Sequence, residues 1–539
     1  MFIRAKKGGN KTHPHRYLQI VESYRTGRTV RQRVICTLGR LDRLQESGEI
    51  DGLMRSLARF SETQRVLSAS YSPDVDSCQS RLWGPALVFG RLWEKQGIPP
   101  LLGALAADRR FQFDPERVTF ALALQRLCRP GSDLNGSGWL KTVEAPGFER
   151  IQLQHMYRAV RWLSEVREEL ERELFFRDRE LFTQDLDLVF LDTTSTYLYR
   201  GEETEYARRG YSRDHRPDLP QMVLCVAVDR RSWPIAWEIL PGNTADVKAF
   251  ERAIAKLRER FSIRRVSVVA DRAMLSNKTV KLLTEHTTAP FDYIMGCRLR
   301  GNKEVKEKAL SRGGRYSKVA KNLKVKEVIV DGRRYIVCKN EEEARKDAAA
   351  RERIVARLKD KLAKGQAKGL IGNSGYRRFL KGGKSAWRLD EQAIEEDARF
   401  DGVFVLRTNM DLPASEIATT YKGLWRVERT FREEKSTLEV RPLFHHRDAT
   451  RIGHIVASFL ALRLEIDLQR RLEEKNIEVS WPRLMDDLTR LQAVHITLDG
   501  KAYRIRTDLE GSAYEAFQAA GVRVPGRVMP LDQRKSVVP

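Results

Sequence analysis

The chain has 539 residues, 41% of them hydrophobic, and 98 Lys and Arg against 73 Asp and Glu give a formal net charge of +25. This composition predicts two to four domains with real cores, and the positive charge predicts a polyanionic partner. The sequence contains no long apolar run, no CxxC pair, no Walker loop, no GxGxxG turn and no HExxH motif, which argues against membrane-spanning, zinc-dependent and nucleotide-fuelled functions.

Within the N-terminal region, residues 1–80, the chain alternates like short strands up to about residue 45, in the segments FIRAKK, RYLQIVESYRTG and VRQRVICTLG. DNA contact and a solvated sheet face explain the basic residues of these segments equally well. From 81 to 182 the pattern becomes helical, with a break near Arg129-Pro-Gly-Ser. We therefore expect a small β region at the N-terminus, followed by a helical region.

Residues 183–300 switch between strand and helix periods. Three strand patterns come first, LDLVFLDTTSTYLY, QMVLCVAVD and PIAWEILPG, and a helix pattern, ADVKAFERAIAKLRERF, follows them. The strand RVSVVAD, the helix LSNKTVKLLTEH and the strand FDYIMGCRL come next. A meander of three strands followed by alternating helix and strand is the order of the ribonuclease H-like fold, in which the first and fourth strands are neighbours. We expect an α/β protein with such a mixed-sheet core.

Two of these strand patterns lead into an aspartate. The apolar run Leu188–Leu191 precedes Asp192, and the valine-rich run of the fourth strand precedes Asp271. A lone aspartate in this place caps a turn, but two on neighbouring strands repel each other unless a cation lies between them. Carboxylate oxygens suit Mg²⁺ or Mn²⁺, and two such ions roughly 3.5 to 4 Å apart serve in-line attack on a phosphodiester. The pair therefore predicts a divalent metal site.

A third carboxylate lies in the helix pattern EIATTYKGLWRVERTFREEKSTLEV. Glu428 shares a stripe with apolar residues that recur at steps of three, four or seven: Ile417, Tyr421, Leu424, Trp425, Phe431 and Leu438. An acid in an apolar stripe is unfavourable unless it is paired or bound to a metal. An ion pair with Arg432, four residues further on, is the alternative to metal binding, and both interpretations stay open.

The segment YKGLWRVERTFREEK resembles the Y-x2-R-x3-E-x6-K signature of DDE transposases from bacterial insertion sequences. Tyr421, Glu428 and Lys435 match the signature in identity and spacing, whereas Leu424 stands where the signature has arginine. Arg426 is the nearest candidate substitute for that arginine. The resemblance is specific as a set of motifs, and it extends beyond this segment.

LDTTSTYL around Asp192 and VVADRAMLS around Asp271 also resemble the segments that carry the first two catalytic aspartates of this family. The resemblance implies a ribonuclease H-like core in which Asp192, Asp271 and Glu428 are the catalytic metal ligands. It also implies that Tyr421 and Lys435 contact the DNA backbone near the cut. We add five arginines as candidate DNA contacts from charge and position alone: Arg426, Arg429 and Arg432 beside Glu428, and Arg213 and Arg216 in the loop GYSRDHRPDLPQ.

The distance between Asp271 and Glu428 is 157 positions, and the excess over a compact core is residues 301–397. Residues 301–400 hold 27 Lys and Arg against 15 Asp and Glu, almost half of the net charge. The insertion has two strand patterns, KVKEVIV and RRYIVCK, around a Val-Asp-Gly turn. A charged helix pattern, EEEARKDAAARERIVARLKDKLAK, follows them. A basic, partly β insertion beside the active site suits clamping of DNA ends, and a solvated charged face is the alternative.

Three histidines, His445, His446 and His454, suggest a metal site, but no cysteine and few acids are near them in the sequence. We therefore expect no zinc there. The C-terminal segment has SWPRLMDDLTRLQ as its clearest helix, and no function follows from it.

The resemblance implies a transposase that cleaves the ends of its own insertion sequence and transfers them into target DNA with two Mg²⁺ or Mn²⁺ ions. The expected partners are double-stranded DNA at the element's terminal inverted repeats and at the target, and a second copy in a dimer or higher oligomer. No membrane is expected to take part, and the expected location is the bacterial cytoplasm at the nucleoid. The alternatives are a metal-dependent nuclease of the same fold without strand transfer and a catalytically inactive, basic DNA-binding protein.

We expect six regions: 1–80 with DNA contact, 81–182 with terminal-repeat binding, 183–300 as the first part of the core, 301–397 as the insertion, 398–474 as the second part of the core, and 475–539 as the C-terminal region.

Overall fold

A computed structural model of the chain divides into two compact units. The first consists of residues 1–83, 489–510 and 524–539, and the second of residues 84–488 and 511–523. The structure describes residues 1–10, 13–26, 29–58, 60–61, 63–64, 78–182, 188–199, 202–259, 267–285, 290–299, 304–364, 373–382, 387–424, 427–428, 441–498 and 501–531.

The described secondary structure alternates strands and helices along most of the chain. The strands are β1 Phe2–Asn10, β2 His13–Thr26, β3 Thr29–Arg40, β4 Cys78–Leu82, β5 Leu188–Tyr197, β6 Gln221–Val228, β7 Pro234–Pro241, β8 Ser267–Ala270, β9 Asp292–Gly296, β10 Ser317–Ala320, β11 Leu323–Val330, β12 Arg333–Asn340, β13 Leu380–Gly382, β14 Trp387–Leu389, β15 Val403–Thr408, β16 Gln492–Leu498, β17 Lys501–Arg506 and β18 Val528–Pro530. The helices are α1 Leu41–Glu46, α2 Glu49–Ala58, α3 Gly84–Lys95, α4 Ile98–Ala106, α5 Pro115–Cys128, α6 Asp133–Leu140, α7 Leu153–Phe182, α8 Asp246–Glu259, α9 Asn277–Thr284, α10 Glu341–Ala363, α11 Ser374–Arg377, α12 Glu391–Ala398, α13 Ala414–Lys422, α14 Asp448–Glu474, α15 Trp481–Thr489 and α16 Ala513–Ala520.

The described residues of the first unit form two antiparallel sheets. β1, β2 and β3 form one of them, as the alternating pattern at the N-terminus predicts. The other has the order β18-β17-β16-β4, so the strands near the C-terminus pair with one that precedes the helical region. Residues far apart in the sequence thus complete one sheet, which the sequence patterns do not predict.

The second unit is built around a large mixed sheet with the order β10-β11-β12-β15-β9-β8-β5-β6-β7. β5, β6 and β7 form an antiparallel meander, and β5, β8 and β9 are parallel neighbours. The first and fourth strands of the predicted core therefore lie side by side, and the predicted ribonuclease H-like order is confirmed. Every residue of β6 and β8 is buried, which fits strands covered on both faces.

The strands of the basic insertion extend this same sheet. β11 and β12 form the predicted hairpin, and the turn residues Asp331 and Gly332 have φ angles of 47° and 71°, as a two-residue turn between twisted strands requires. β12 pairs with β15, and β15 pairs with β9 of the core. Helix α13 contacts β8 and β9 as well as β11 and β12. The insertion strands therefore help to support the helix that begins the signature segment.

Helix α14 is buried along most of its length, from Arg451 to Leu468. It packs against α5, α7 and α16. Its buried part also includes charged side chains such as Arg463, which need partners there. The Arg463 guanidinium forms two hydrogen bonds of 2.9 Å with the Asp178 carboxylate of α7. The predicted break in the helical region is confirmed, since α5 ends at Cys128 and α6 follows. None of the described helices combines the length and the apolar character needed to cross a membrane.

Candidate active site

The two predicted catalytic aspartates follow paired residues of two parallel strands. Leu191 of β5 lies opposite Ala270 of β8, and the next residues are Asp192 and Asp271. β8 ends at this level, whereas β5 continues to Tyr197 as the partner of β6. The local sequence thus predicts both aspartates at the same edge of the parallel pair, and the strand register brings them there. Both residues are half-buried.

The pKa of Asp192 depends on the charges of the other two predicted acids. Burial raises the pKa of the Asp192 carboxyl to about 7, and the negative charges of Asp271 and Glu428 add to the rise. The Arg213 guanidinium and the Thr193 backbone N–H, which donates to Asp192 Oδ1 at 2.7 Å, oppose it. A negative charge at Asp192 is therefore unfavourable until a cation balances it.

Glu428 does not lie on a buried stripe, and that prediction was wrong. Glu428 is exposed, whereas Val427 beside it is fully buried. The expected period runs through a single helix, but α13 ends at Lys422 with Gly423 as its C-cap. Helix α13 therefore ends before Glu428 is reached. Ile417 and the side chain at the signature's arginine position, Leu424, are buried, as the pattern predicts.

Tyr421 contacts one of the predicted catalytic acids. Its hydroxyl donates a hydrogen bond of 3.4 Å to Asp271 Oδ1, and its ring stacks on that of Phe404 with an angle of 24° between the ring planes and centroids 6.0 Å apart. Burial and the charge of Asp271 raise the pKa of the Tyr421 hydroxyl. A Cβ added at Gly296, the last residue of β9, would lie 2.3 Å from that hydroxyl. Sequence reasoning missed Gly296, although a glycine within a strand often marks a close approach.

Arg213, a predicted DNA contact, lies beside the Asp192 carboxylate. Its Nη1 is 3.8 Å from Asp192 Oδ1. Its Nη2 donates to Asp246 Oδ1 at 2.8 Å and to Thr193 Oγ1 at 2.5 Å. The Thr193 hydroxyl itself donates to Asp246 Oδ1 at 2.7 Å. Sequence reasoning missed Asp246, because nothing in the pattern of its helix distinguishes it from an ordinary acid of the first turn.

Arg216 pairs with a carboxylate outside the proposed triad. Its guanidinium pairs with Asp218 at 2.8 Å and lies 5.5 Å from the centroid of the Tyr197 ring. The loop that carries Arg213 and Arg216 is tied to the chain after Glu428 by an ion pair between Asp214 and Arg441. The other predicted DNA contacts lie outside the described residues: Arg426, Arg429, Arg432 and Lys435.

A separate cluster joins two of the three histidines to an acid that the sequence does not place near them. Among the described residues, the buried side chains of Asp133, His445 and His454 have potential metal-binding atoms within 4.8 Å of one another. The Arg126 guanidinium donates to His454 Nδ1 at 2.9 Å and lies 3.4 Å from Asp133 Oδ1. Burial, with the charge of Arg126, lowers the pKa of His454 well below its ordinary value. A cation, Arg126, therefore already occupies this cluster.

Sequence comparisons place the chain in a family. A model of the transposase DDE domain matches residues 183–464, and a model of the N-terminal domain of IS1634 family transposases matches residues 3–70. No curated protein matches the sequence.

Two solved structures are similar to part of the chain. A Mos1 transposase paired-end complex with the left transposon end is 14% identical, with a TM-score of 0.15, and the similarity covers 34% of this chain and 59% of that one. A Mos1 mariner paired-end complex with Mn is 14% identical, with a TM-score of 0.14 and coverage of 44% and 76%. The chain thus spans less than two thirds of the first of these structures. Because the DDE domain match covers more than half of the 539 residues and includes Asp192, Asp271 and Glu428, the chain belongs to the DDE transposase family.

Proposed function

We propose that this protein cleaves the ends of its own insertion sequence and transfers them into target DNA. The observation that supports this most is the placement of Asp192 and Asp271 after paired residues of neighbouring parallel strands, with the charge of Glu428 acting on Asp192. All three residues fall within the stretch that matches the transposase DDE domain. The proposed substrates are double-stranded DNA at the element's terminal inverted repeats and at the target.

The three acids fit a divalent metal ion, whose use is general in the DDE family. The fit follows from the chemistry of the three carboxylates. Their negative charges repel one another, and a hard divalent cation with oxygen ligands removes that repulsion. We propose that Asp192, Asp271 and Glu428 hold Mg²⁺ or Mn²⁺, two ions in all. When bound, such ions activate the attacking hydroxyl and stabilise the leaving oxygen.

Residues around the acids prepare them for this role. The Thr193 N–H donates to Asp192, and the Tyr421 hydroxyl donates to Asp271, so each aspartate has one oxygen held in place by the protein. The Arg213 guanidinium lies next to Asp192, where a phosphate of the bound DNA could accept its charged hydrogen bonds. These contacts orient the carboxylates and draw the backbone of the substrate toward them.

The wider DNA-binding surface is proposed on charge and family resemblance. We assign contacts with the DNA backbone to Tyr421, Lys435 and the five candidate arginines. Residues 301–397 are proposed to clamp the DNA ends, and residues 81–182 to bind the terminal repeats. The chain is proposed to have the six regions that its sequence predicts. Phosphate contacts by so basic a chain would make binding strongly dependent on salt. We also propose a homodimer or higher oligomer at the paired ends, acting in the bacterial cytoplasm at the nucleoid.

The test is strand nicking and joining by the purified full-length protein on a labelled element-end duplex with Mg²⁺ or Mn²⁺. The variants are Asp192→Asn, Asp271→Asn and Glu428→Gln, which remove a charge at nearly constant volume. We expect the wild type to cut at the element end and join it to a target, and each variant to bind DNA without doing either. Cutting without joining would indicate a nuclease of the same fold. Binding without cutting by every protein would indicate an inactive DNA-binding protein, and cutting by the variants would mean that the triad is misplaced.

A further inference from the structure

The Arg213 side chain lies where a cation bound to Asp192 would meet it. We propose that Arg213 is the positive charge that lies beside Asp192 in the metal-free protein and that Asp246 is the positioning residue that holds Arg213 there. Binding of a divalent cation at Asp192 then requires the guanidinium to withdraw toward Asp246. This inference rests on the proposed metal-binding role of Asp192, and it adds a control on when the metal enters.

The two terminal nitrogens of the Arg213 guanidinium face different carboxylates, those of Asp246 and Asp192. Nη2 makes a hydrogen bond of 2.8 Å with Asp246 Oδ1, whereas Nη1 is 3.8 Å from Asp192 Oδ1, too far for a hydrogen bond. Thr193 Oγ1 accepts from Nη2 and donates to Asp246, which links the guanidinium to Asp246 a second time. Arg213 is therefore bonded to Asp246 and attracted to Asp192 without being bonded to it.

In this arrangement the guanidinium and a divalent metal ion compete for the place beside the Asp192 carboxylate. The side chains of Asp192 and Arg213 are 18% and 30% exposed, so water screens their charges only in part. A divalent cation at Asp192 would lie close to a fixed positive charge, and the repulsion would weaken its binding. Because Asp246 already bonds Arg213, the guanidinium can move away from Asp192 without losing its hydrogen-bonded partner.

The backbone of the loop stays in place during such a movement. The Arg213 backbone N–H donates to Ser195 Oγ at 3.4 Å, and the neighbouring Asp214 pairs with Arg441. Only the Arg213 side chain then needs to change direction. A DNA phosphate near the site offers the guanidinium an alternative anion, so bound DNA would favour metal entry.

The experiment measures Mn²⁺ binding to the full-length protein without DNA, from the electron paramagnetic resonance signal of free Mn²⁺. Asp192→Asn identifies the site, because binding that this variant loses belongs to Asp192. We expect Arg213→Gln to raise Mn²⁺ affinity at that site about tenfold, since it removes a positive charge a few ångströms away. The matched control is Arg208→Gln, which removes the same charge from a residue whose guanidinium pairs with Glu203 at 3.6 Å, and we expect it to leave the affinity unchanged.

A double-mutant cycle isolates the role of Asp246. Asp246→Asn in the wild-type background removes a negative charge and also frees Arg213 to pair fully with Asp192, so Mn²⁺ affinity should fall. In the Arg213→Gln background only the first effect is left, and the fall should be smaller. Thermal unfolding of each variant checks that the fold is intact.

Two results would overturn the inference while leaving the proposed function standing. One is Mn²⁺ binding that depends on Asp192 but does not strengthen in Arg213→Gln. The other is an equal effect of Asp246→Asn in both backgrounds, which would mean that Asp246 does not act through Arg213. Mn²⁺ binding that Asp192→Asn leaves unchanged would instead contradict the proposed metal role of Asp192, and this inference would fall with it.

Discussion

The Tyr421 hydroxyl donates to Asp271 Oδ1 across 3.4 Å, and this contact depends on the absence of a side chain at Gly296, where a Cβ would lie 2.3 Å from the same hydroxyl. The strand that follows β8 in the sheet therefore leaves room for a residue of α13 to reach the candidate metal site. Burial of the Tyr421 hydroxyl and the neighbouring charge both raise its pKa, so it remains a donor to the carboxylate at ordinary pH.

Gly296→Ala should destabilise the protein and displace Tyr421 from Asp271. Because the added methyl group overlaps the Tyr421 hydroxyl, we expect the free energy of unfolding to fall by about 1–3 kcal/mol, as at other overpacked sites. In a Tyr421→Phe background the added methyl group no longer meets the hydroxyl, so the loss should be smaller. Denaturant unfolding of the four proteins measures this difference. Equal losses in both backgrounds would show that the hydroxyl is not what the glycine accommodates.

The metal-free protein should lose stability as pH rises toward 7, in part because of Asp192. In the folded protein this carboxyl keeps its proton up to a pKa of about 7, whereas its ordinary value is 3.8. Between these values the folded state binds more protons than the unfolded state, so the free energy of unfolding falls as pH rises. The contribution is on the order of a few kcal/mol.

Asp192→Asn removes that dependence and serves as the comparison. We expect the variant to gain stability relative to the wild type on going from about pH 5 to about pH 8, measured by denaturant unfolding in the presence of a chelator. Glu171, whose pKa burial also raises to about 7, is common to both proteins and cancels in the difference. A stability difference that does not change with pH would contradict the raised pKa of Asp192.

The pair Asp178–Arg463 should be essential to the packing of α7 on α14. Both side chains are almost fully buried, and the Trp233 indole N–H also donates to Asp178, at 2.8 Å. Asp178→Ala leaves a buried guanidinium without its carboxylate, at a cost of about 3–5 kcal/mol. The exposed pair Arg172–Glu173 on the same helix is the matched control, and Glu173→Ala should cost less than about 1 kcal/mol. Denaturant unfolding compares the two, and similar costs would contradict the prediction.

The cluster of Asp133, His445 and His454 should not bind zinc. The Arg126 guanidinium donates to His454 Nδ1 and pairs with Asp133, so a second cation would meet a charge that is already buried there. We expect any change that added Zn²⁺ or a chelator causes in the midpoint of thermal unfolding to be the same in the wild type and in Asp133→Asn, because the proposed metal site at Asp192 is common to both. A Zn²⁺-induced rise that is present in the wild type and absent in Asp133→Asn would contradict this.

The sequence by itself determined the local elements and the chemistry that they carry. The strand patterns around Asp192 and Asp271 predict β5 and β8, the order of strands and helices predicts that these two are neighbours, and the motifs around the acids predict the family. Such features depend on side chains close together in the chain, because period and composition decide whether a segment forms a helix or a strand.

The tertiary structure alone decided which distant side chains meet. It left Glu428 exposed, although the apolar period places this residue on a buried face, and it ended helix α13 at Lys422. It brought Asp246 to Arg213 and Gly296 to Tyr421, and it joined the insertion strands to the core through β15. No local pattern encodes these contacts, because each depends on the register and packing of elements that are separated along the chain.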